Sequence, residues 1–125
     1  MTPVLLVIDD DDLIAEMVRY ALKPLLDSIT LHIAADLSED LSRFSPTMIL
    51  TDLKLAHSSE EETLALLRGY FPTTPIVPMS GVCPSEMSLW QQKYQLSPFL
   101  SKDVLLTGLH PLVQAQMRPQ QAVAE

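Results

Sequence analysis

Val4-Leu5-Leu6-Val7-Ile8 runs straight into Asp9-Asp10-Asp11-Asp12. Five consecutive aliphatic residues, mostly Val, Ile and Leu, form a strand covered on both faces, since a half-exposed strand would alternate polar and apolar positions. The acids that end it place carboxylates at the strand's C-terminal tip. Beyond them Leu13, Ile14, Met17, Val18, Ala21, Leu22 and Leu25 recur at three- and four-residue steps. That spacing is one apolar stripe on a helix, with Asp12 read as its N-cap and Pro24 at its last turn. A doubly buried strand followed by an amphipathic helix is the opening of a βαβ unit.

The alternation continues. Ile29 to Ala34 reads as a second strand, Ser38 to Phe44 as a short helix capped by Ser38, and Met48-Ile49-Leu50-Thr51-Asp52 as a third strand. Ser59 to Tyr70 is helical, with Glu60, Glu61 and Glu62 in the first turn, where the helix dipole favours acids. Pro75 introduces a fourth strand, Ile76 to Ser80, in which Pro78 removes a ladder hydrogen bond and predicts local disruption. Pro84 to Tyr94 reads as a fourth helix with Pro84 at its first position. Phe99-Leu100 is a stub of a fifth strand. Val104 to Met117 is a fifth helix, with Pro111 near its first turns. Strands alternating with helices imply an α/β fold, a five-stranded, doubly wound parallel sheet with helices on both faces.

Composition narrows the function. The chain has 125 residues, a size that fits one domain and buries about two-thirds of its unfolded surface without a disulfide or metal. Hydrophobic residues make up 47% and charged residues 19%, which excludes a disordered chain. A net charge of -8, with the eight Lys and Arg residues spread singly, opposes direct nucleic-acid binding. The longest uncharged stretch, Gly69 to Ser85, contains Pro72, Pro75, Pro78 and Pro84 and cannot be a membrane helix. No signal peptide is read at the N-terminus, and the single cysteine, Cys83, suits a reducing compartment, so a cytoplasmic location is expected.

In an open parallel sheet, sites form beyond the carboxyl ends of the strands. Here those ends carry Asp9, Asp10, Asp52 and Ser80, with Lys102 after the fifth strand. Carboxylates 4 Å apart repel by about 4 kcal/mol per pair at an effective dielectric of 20, so such a cluster needs neutralisation. A divalent cation with oxygen ligands does this, and magnesium fits best. A carboxylate beside a metal, a lysine and a hydroxyl suits phosphoryl transfer onto the carboxylate.

On these residues the sequence resembles the receiver domains of two-component response regulators, the family that includes the chemotaxis regulator. The carrying motifs are Val7-Ile8-Asp9-Asp10-Asp11, Ile49-Leu50-Thr51-Asp52, Met79-Ser80-Gly81 and Phe99-Leu100-Ser101-Lys102. Their separations are 42 (10 to 52), 28 (52 to 80) and 22 (80 to 102). The resemblance implies a flavodoxin-like sheet with strand order 2-1-3-4-5 and five helices. It implies a receiver domain over residues 1–118, with 119–125 a flexible tail or the start of a linker.

Asp52 is then the phosphoacceptor for a histidine kinase or histidine phosphotransfer protein. Mg2+ is held by Asp9, Asp10, Asp52 and the backbone carbonyl of Lys54. Lys102 pairs with the phosphoryl group, Ser80 hydrogen-bonds it, and Phe99 follows Ser80 inward. The output is contact with a downstream protein or a C-terminal output domain outside these residues, with a homodimer through the face of the fourth and fifth helices as a further possibility. The chain is on this reading a signalling phosphoacceptor, catalysing at most its own phosphotransfer and dephosphorylation.

Several positions depart from the pattern. Ala56 and Glu60 replace the usual proline and glycine, which predicts an unusual path for residues 54–59 with His57 on it. Asp103 replaces the proline after Lys102. A cis bond before a non-proline residue costs about 2.5–4 kcal/mol, so a trans bond and a shifted loop are predicted, with Asp103 a competitor for Lys102. Phe99 stands for the commoner tyrosine and is readable as core or as switch.

Other readings stay open beside this one. One is a receiver-like interaction module that is never phosphorylated. Another is a small magnesium phosphohydrolase, although Lys54 stands where one such family has its general acid. Asp11 and Asp12 read as solvated loop and cap, while His32, His57 and His110 read as exposed. Cys83 reads as an inert thiol, Met17, Met48, Met79 and Met87 as core, and Trp90 as ambiguous.

Overall fold

The computed structural model describes residues 2–38, 40–55 and 58–117. The expectations for Ala56, His57 and the 119–125 tail lie outside them. Five strands form one parallel sheet in the order β2-β1-β3-β4-β5: β1 (Val4–Ile8), β2 (Thr30–Ala34), β3 (Met48–Asp52), β4 (Ile76–Ser80) and β5 (Leu100–Ser101). The strand order is the expected one. Val7 of β1 aligns with Ile33 of β2 and Leu50 of β3, so the first strand lies between them. All five residues of β3 and of β4 are buried, as expected of strands covered on both faces.

Among the described residues four α-helices cover the sheet, not five: α1 (Asp12–Leu22), α2 (Glu60–Tyr70), α3 (Met87–Tyr94) and α4 (Leu105–Met117). The expected helix over Ser38 to Phe44 is a single 3-10 turn, Leu41–Arg43. Its sequence explains the loss. Asp36 accepts hydrogen bonds from the Ser38 N–H and hydroxyl, and Asp40 does the same for Ser42, so the side chains satisfy donors that a helix would use. Only Leu41 of the 3-10 turn reaches the core.

Other boundaries shift for similar reasons. Asp11, not Asp12, caps α1, its Oδ1 accepting from the Leu13 N–H at 2.9 Å. α2 opens on a capping box: Ser59 accepts from the Glu62 N–H while the Glu62 carboxylate accepts from the Ser59 N–H. α3 starts at Met87, because Pro84 closes a turn of its own by accepting from the Met87 N–H. Pro111 lies inside α4 rather than near its start, where it removes one helical hydrogen bond on the exposed face. His110 is half-buried rather than exposed.

The core has two layers. α1 and α4 pack on one face through Ile14, Val18, Leu22, Leu105, Leu109 and Val113. α2 and α3 pack on the other through Leu64, Leu67, Met87 and Trp90. Of the methionines read as core, Met48, Met79 and Met87 are buried, and Met17 packs half-buried against the first layer. No helix among the described residues is long and apolar enough to cross a membrane.

Candidate functional site

β1 and β3 are neighbours that run in the same direction, so Asp9, just past β1, and Asp52, the last residue of β3, reach the same rim. One carboxylate oxygen from each of Asp9, Asp10 and Asp52 lies within 4.8 Å of the others. Asp9 and Asp52 are buried and Asp10 is exposed, so the cluster opens toward solvent on the Asp10 side. Two clefts flank it. One of about 410 Å³ runs past Asp9, Asp10, Glu16 and Arg19, and one of about 620 Å³ runs past Asp10, Lys54 and Ser59.

Lys102 enters from the far edge of the sheet. Its Nζ lies 2.9 Å from Asp9 Oδ2 and 3.3 Å from Asp52 Oδ1. One ammonium is thus shared by two buried carboxylates from different strands. The buried Asp9 Oδ2 has the ion pair to Lys102 and no further hydrogen-bond donor. Asp9 Oδ1 is satisfied, accepting from the Asp11 N–H at 2.9 Å. Asp52 Oδ1 also accepts from the Lys54 N–H at 3.3 Å.

Burial pushes the Asp9 carboxyl above its ordinary value; the Asp11 N–H and Lys102 oppose the rise, while the Asp52 charge adds to it. Burial alone would lower the Lys102 ammonium, but Asp9 and Asp52 together hold it above its ordinary value. Asp103 is exposed and makes no ion pair with Lys102, which turns inward instead. No peptide bond among the described residues is cis, so Lys102 and Asp103 are joined in trans as expected. A 3-10 turn over Lys102–Val104 leads directly into α4, with the Ser101 hydroxyl accepting from the Asp103 N–H.

Ser80 is buried at the tip of β4, level with Ser101 of β5 and one residue past Met79, the register partner of Asp52. Phe99 is half-buried against the α2–α3 side of the core. Cys83 is exposed.

No protein-family model matches the sequence, and no curated protein matches it. Solved structures do. A two-component response regulator from Clostridium difficile superposes with a TM-score of 0.79 at 20% identity, covering 94% of this chain and 97% of its own. The phosphorylated cyanobacterial phytochrome response regulator RcpA gives 0.78 at 14% identity over 94% and 95%. The Mn(2+)-bound response regulator Rcp1 gives 0.75 at 19% over 90% and 92%. The fold is that of a response-regulator receiver domain.

Within this receiver fold the donor set suits a hard cation. Three carboxylate oxygens converge, and one buried oxygen, Asp9 Oδ2, has no donor beyond Lys102. Magnesium, manganese and calcium all accept such oxygens.

Two residues matter here that the sequence reading passed over. Asp11, read as solvated, both caps α1 and donates its N–H to Asp9, fixing the carboxylate that faces Lys102. An acid two residues after a strand-end acid, just before a helix, is the available signal. Glu61, read only as a helix-dipole acid, accepts from the Lys93 ammonium at 2.7 Å and the Tyr94 hydroxyl at 2.6 Å, tying α2 to α3 beside Trp90. Nothing in the sequence marks that contact.

Proposed function

We propose that this protein is a phosphorylation-switched signalling module whose phosphoacceptor is Asp52. The observation that carries the reading is the convergence of Asp9, Asp10 and Asp52 with Lys102 at one rim of a receiver fold. The donor is the phosphohistidine of a histidine kinase or histidine phosphotransfer protein. An Asp52 carboxylate oxygen forms the new bond to phosphorus as the phosphorus–nitrogen bond breaks, and that electron pair returns to the imidazole. Asp9, Asp10, Asp52 and the Lys54 backbone carbonyl would hold Mg2+. When bound, the metal supplies positive charge to the phosphoryl oxygens.

Lys102 is already aimed at Asp52 and moves from its carboxylate to the phosphoryl oxygens. Ser80, at the adjacent strand tip, donates its hydroxyl to the same group, and Phe99 follows it inward. Phosphorylation adds about two negative charges at Asp52, enough to bias a two-state element built on Ser80 and Phe99. The readout is a changed surface of α3, β5 and α4, presented to a protein target, to an output domain or to a second copy. The module works in the cytoplasm and turns over no metabolite.

Beryllofluoride with Mg2+ mimics the phosphoryl group and tests this reading through Trp90, a buried residue of α3. A saturable fluorescence change in wild type and none in Asp52→Ala is expected. No change in wild type, or an equal change in Asp52→Ala, would favour an interaction module that never takes up phosphate.

A further inference from the structure

β4 is held very differently on its two sides. Successive residues of a strand in a parallel sheet bond alternately to the two neighbouring strands. The Ile49 and Leu53 N–H groups donate to the carbonyls of Pro75 and Met79, so the odd-numbered residues of β4 face β3. The Ser97 N–H donates to the Ile76 carbonyl, so the even-numbered residues, Pro78 included, face β5. The β3 side is regular over four register pairs, Ile49↔Ile76 to Asp52↔Met79. The β5 side has two, Met79↔Leu100 and Ser80↔Ser101.

Two prolines account for the difference. Carrying the Met79↔Leu100 register backward places Pro98 opposite Val77. A regular ladder there takes the N–H of residue 98 for the Ile76 carbonyl and the N–H of residue 78 for the carbonyl of residue 98. Both residues are proline, so both donors are absent. Ser97 substitutes for one of them. The chain then takes three residue steps, from Ser97 to Leu100, against two on β4, and pairing resumes only at the strand's tip.

What remains on the C-terminal side of this break is anchored elsewhere. Leu100 packs with the core that α4 shares with α1, and Lys102 reaches over β4 to the carboxylates after β1 and at the end of β3. By contrast α3 is tied to α2 at several points. Arg68 donates to the carbonyls of Tyr94 and Gln95, and Glu61 accepts from Lys93 and Tyr94.

We propose that the Pro78–Pro98 pair makes the β4–β5 seam a built-in hinge. The segment from Ser97 to Lys102 opens as a unit while β1, β3, β4, α2 and α3 stay folded, and its opening withdraws Lys102 from Asp9 and Asp52. The proposal rests on the ladder alone and stands whether or not Asp52 is phosphorylated.

Native-state hydrogen exchange followed residue by residue tests it. In the wild-type chain the amide of Leu100, which faces β4, should exchange at least about tenfold faster than those of Leu6 and Leu50, through an opening with little sensitivity to denaturant. Pro78→Val restores a donor facing β5 and should slow Leu100 by about fivefold, the worth of one hydrogen bond, relative to Leu6 and Leu50. Pro98→Ala, at an exposed position, provides the second variant should Val prove too bulky in the buried strand. Leu100 exchanging only with global unfolding, or at an unchanged ratio in whichever variant folds, would overturn the hinge.

Discussion

Lys102 Nζ lies 2.9 Å from Asp9 Oδ2, a buried oxygen with no other hydrogen-bond donor. The same ammonium lies 3.3 Å from Asp52 Oδ1. The lysine therefore balances the two least solvated carboxylates of the cluster, and removing it strands both. Lys102→Met should lower stability by about 2 kcal/mol at neutral pH in the absence of divalent cations. Adding Asp9→Asn to that variant should recover most of the loss. Urea denaturation of both single variants and the double variant checks this, and strict additivity would contradict the pairing.

The raised Asp9 carboxyl makes a pH prediction of definite sign. The folded chain binds this proton more tightly than the unfolded chain does, so between the ordinary value of 3.8 and the raised one the folded state holds more protons. The contribution of Asp9 to stability therefore rises as pH falls through that window and is lost above it. Metal-free Asp9→Asn should gain on wild type as pH rises from 3.8 and hold that advantage at neutral pH. Mg2+ should reverse the order by stabilising wild type and leaving Asp9→Asn unmoved. Thermal melts across pH with EDTA or Mg2+ test both halves.

Arg68 is a second point of concentrated load. Its guanidinium donates to the carbonyls of Phe71, Thr74, Tyr94 and Gln95, closing the C-terminal ends of both α2 and α3. Lysine has no planar fork with which to reach four acceptors. Arg68→Met and Arg68→Lys should each cost about 3 kcal/mol. A lysine variant close to wild type in a denaturation curve would contradict the assignment.

Gln95 ends α3 with φ 56° and ψ 56°, and is the one residue of positive φ among those described. A non-glycine residue in the left-handed region is strained by about 1 kcal/mol, and the bond from Arg68 uses only its backbone carbonyl. Gln95→Gly should stabilise the protein by about 0.5–1 kcal/mol, seen as a higher melting temperature.

Much of this arrangement is legible in the sequence, for physical reasons. β1 is an unbroken aliphatic run and β3 opens on Met48-Ile49-Leu50 because both faces of the sheet are covered, and Asp9 after the first and Asp52 at the end of the second mark which end carries the site. Order along the chain then brings Asp9, Asp52 and Lys102 to one rim. Local competition is harder to read. Residues 38–44 look like a short helix until Asp36 and Asp40 are seen capturing serine donors, and the cap of α1 falls on Asp11 because Asp12 has already entered the helix. Contacts between distant residues are harder still. Glu61 meets Tyr94 across 33 positions, and no periodicity encodes that meeting. Pro78 is visible as an anomaly, but its consequence depends on Pro98 lying across the seam.

The most direct test of the central claim is intact and peptide mass spectrometry after incubation with acetyl phosphate and Mg2+. The account predicts one phosphoryl group, located on Asp52, prevented by EDTA treatment beforehand and absent from Asp52→Ala. An unmodified wild-type chain, or modification that persists in Asp52→Ala, would contradict it.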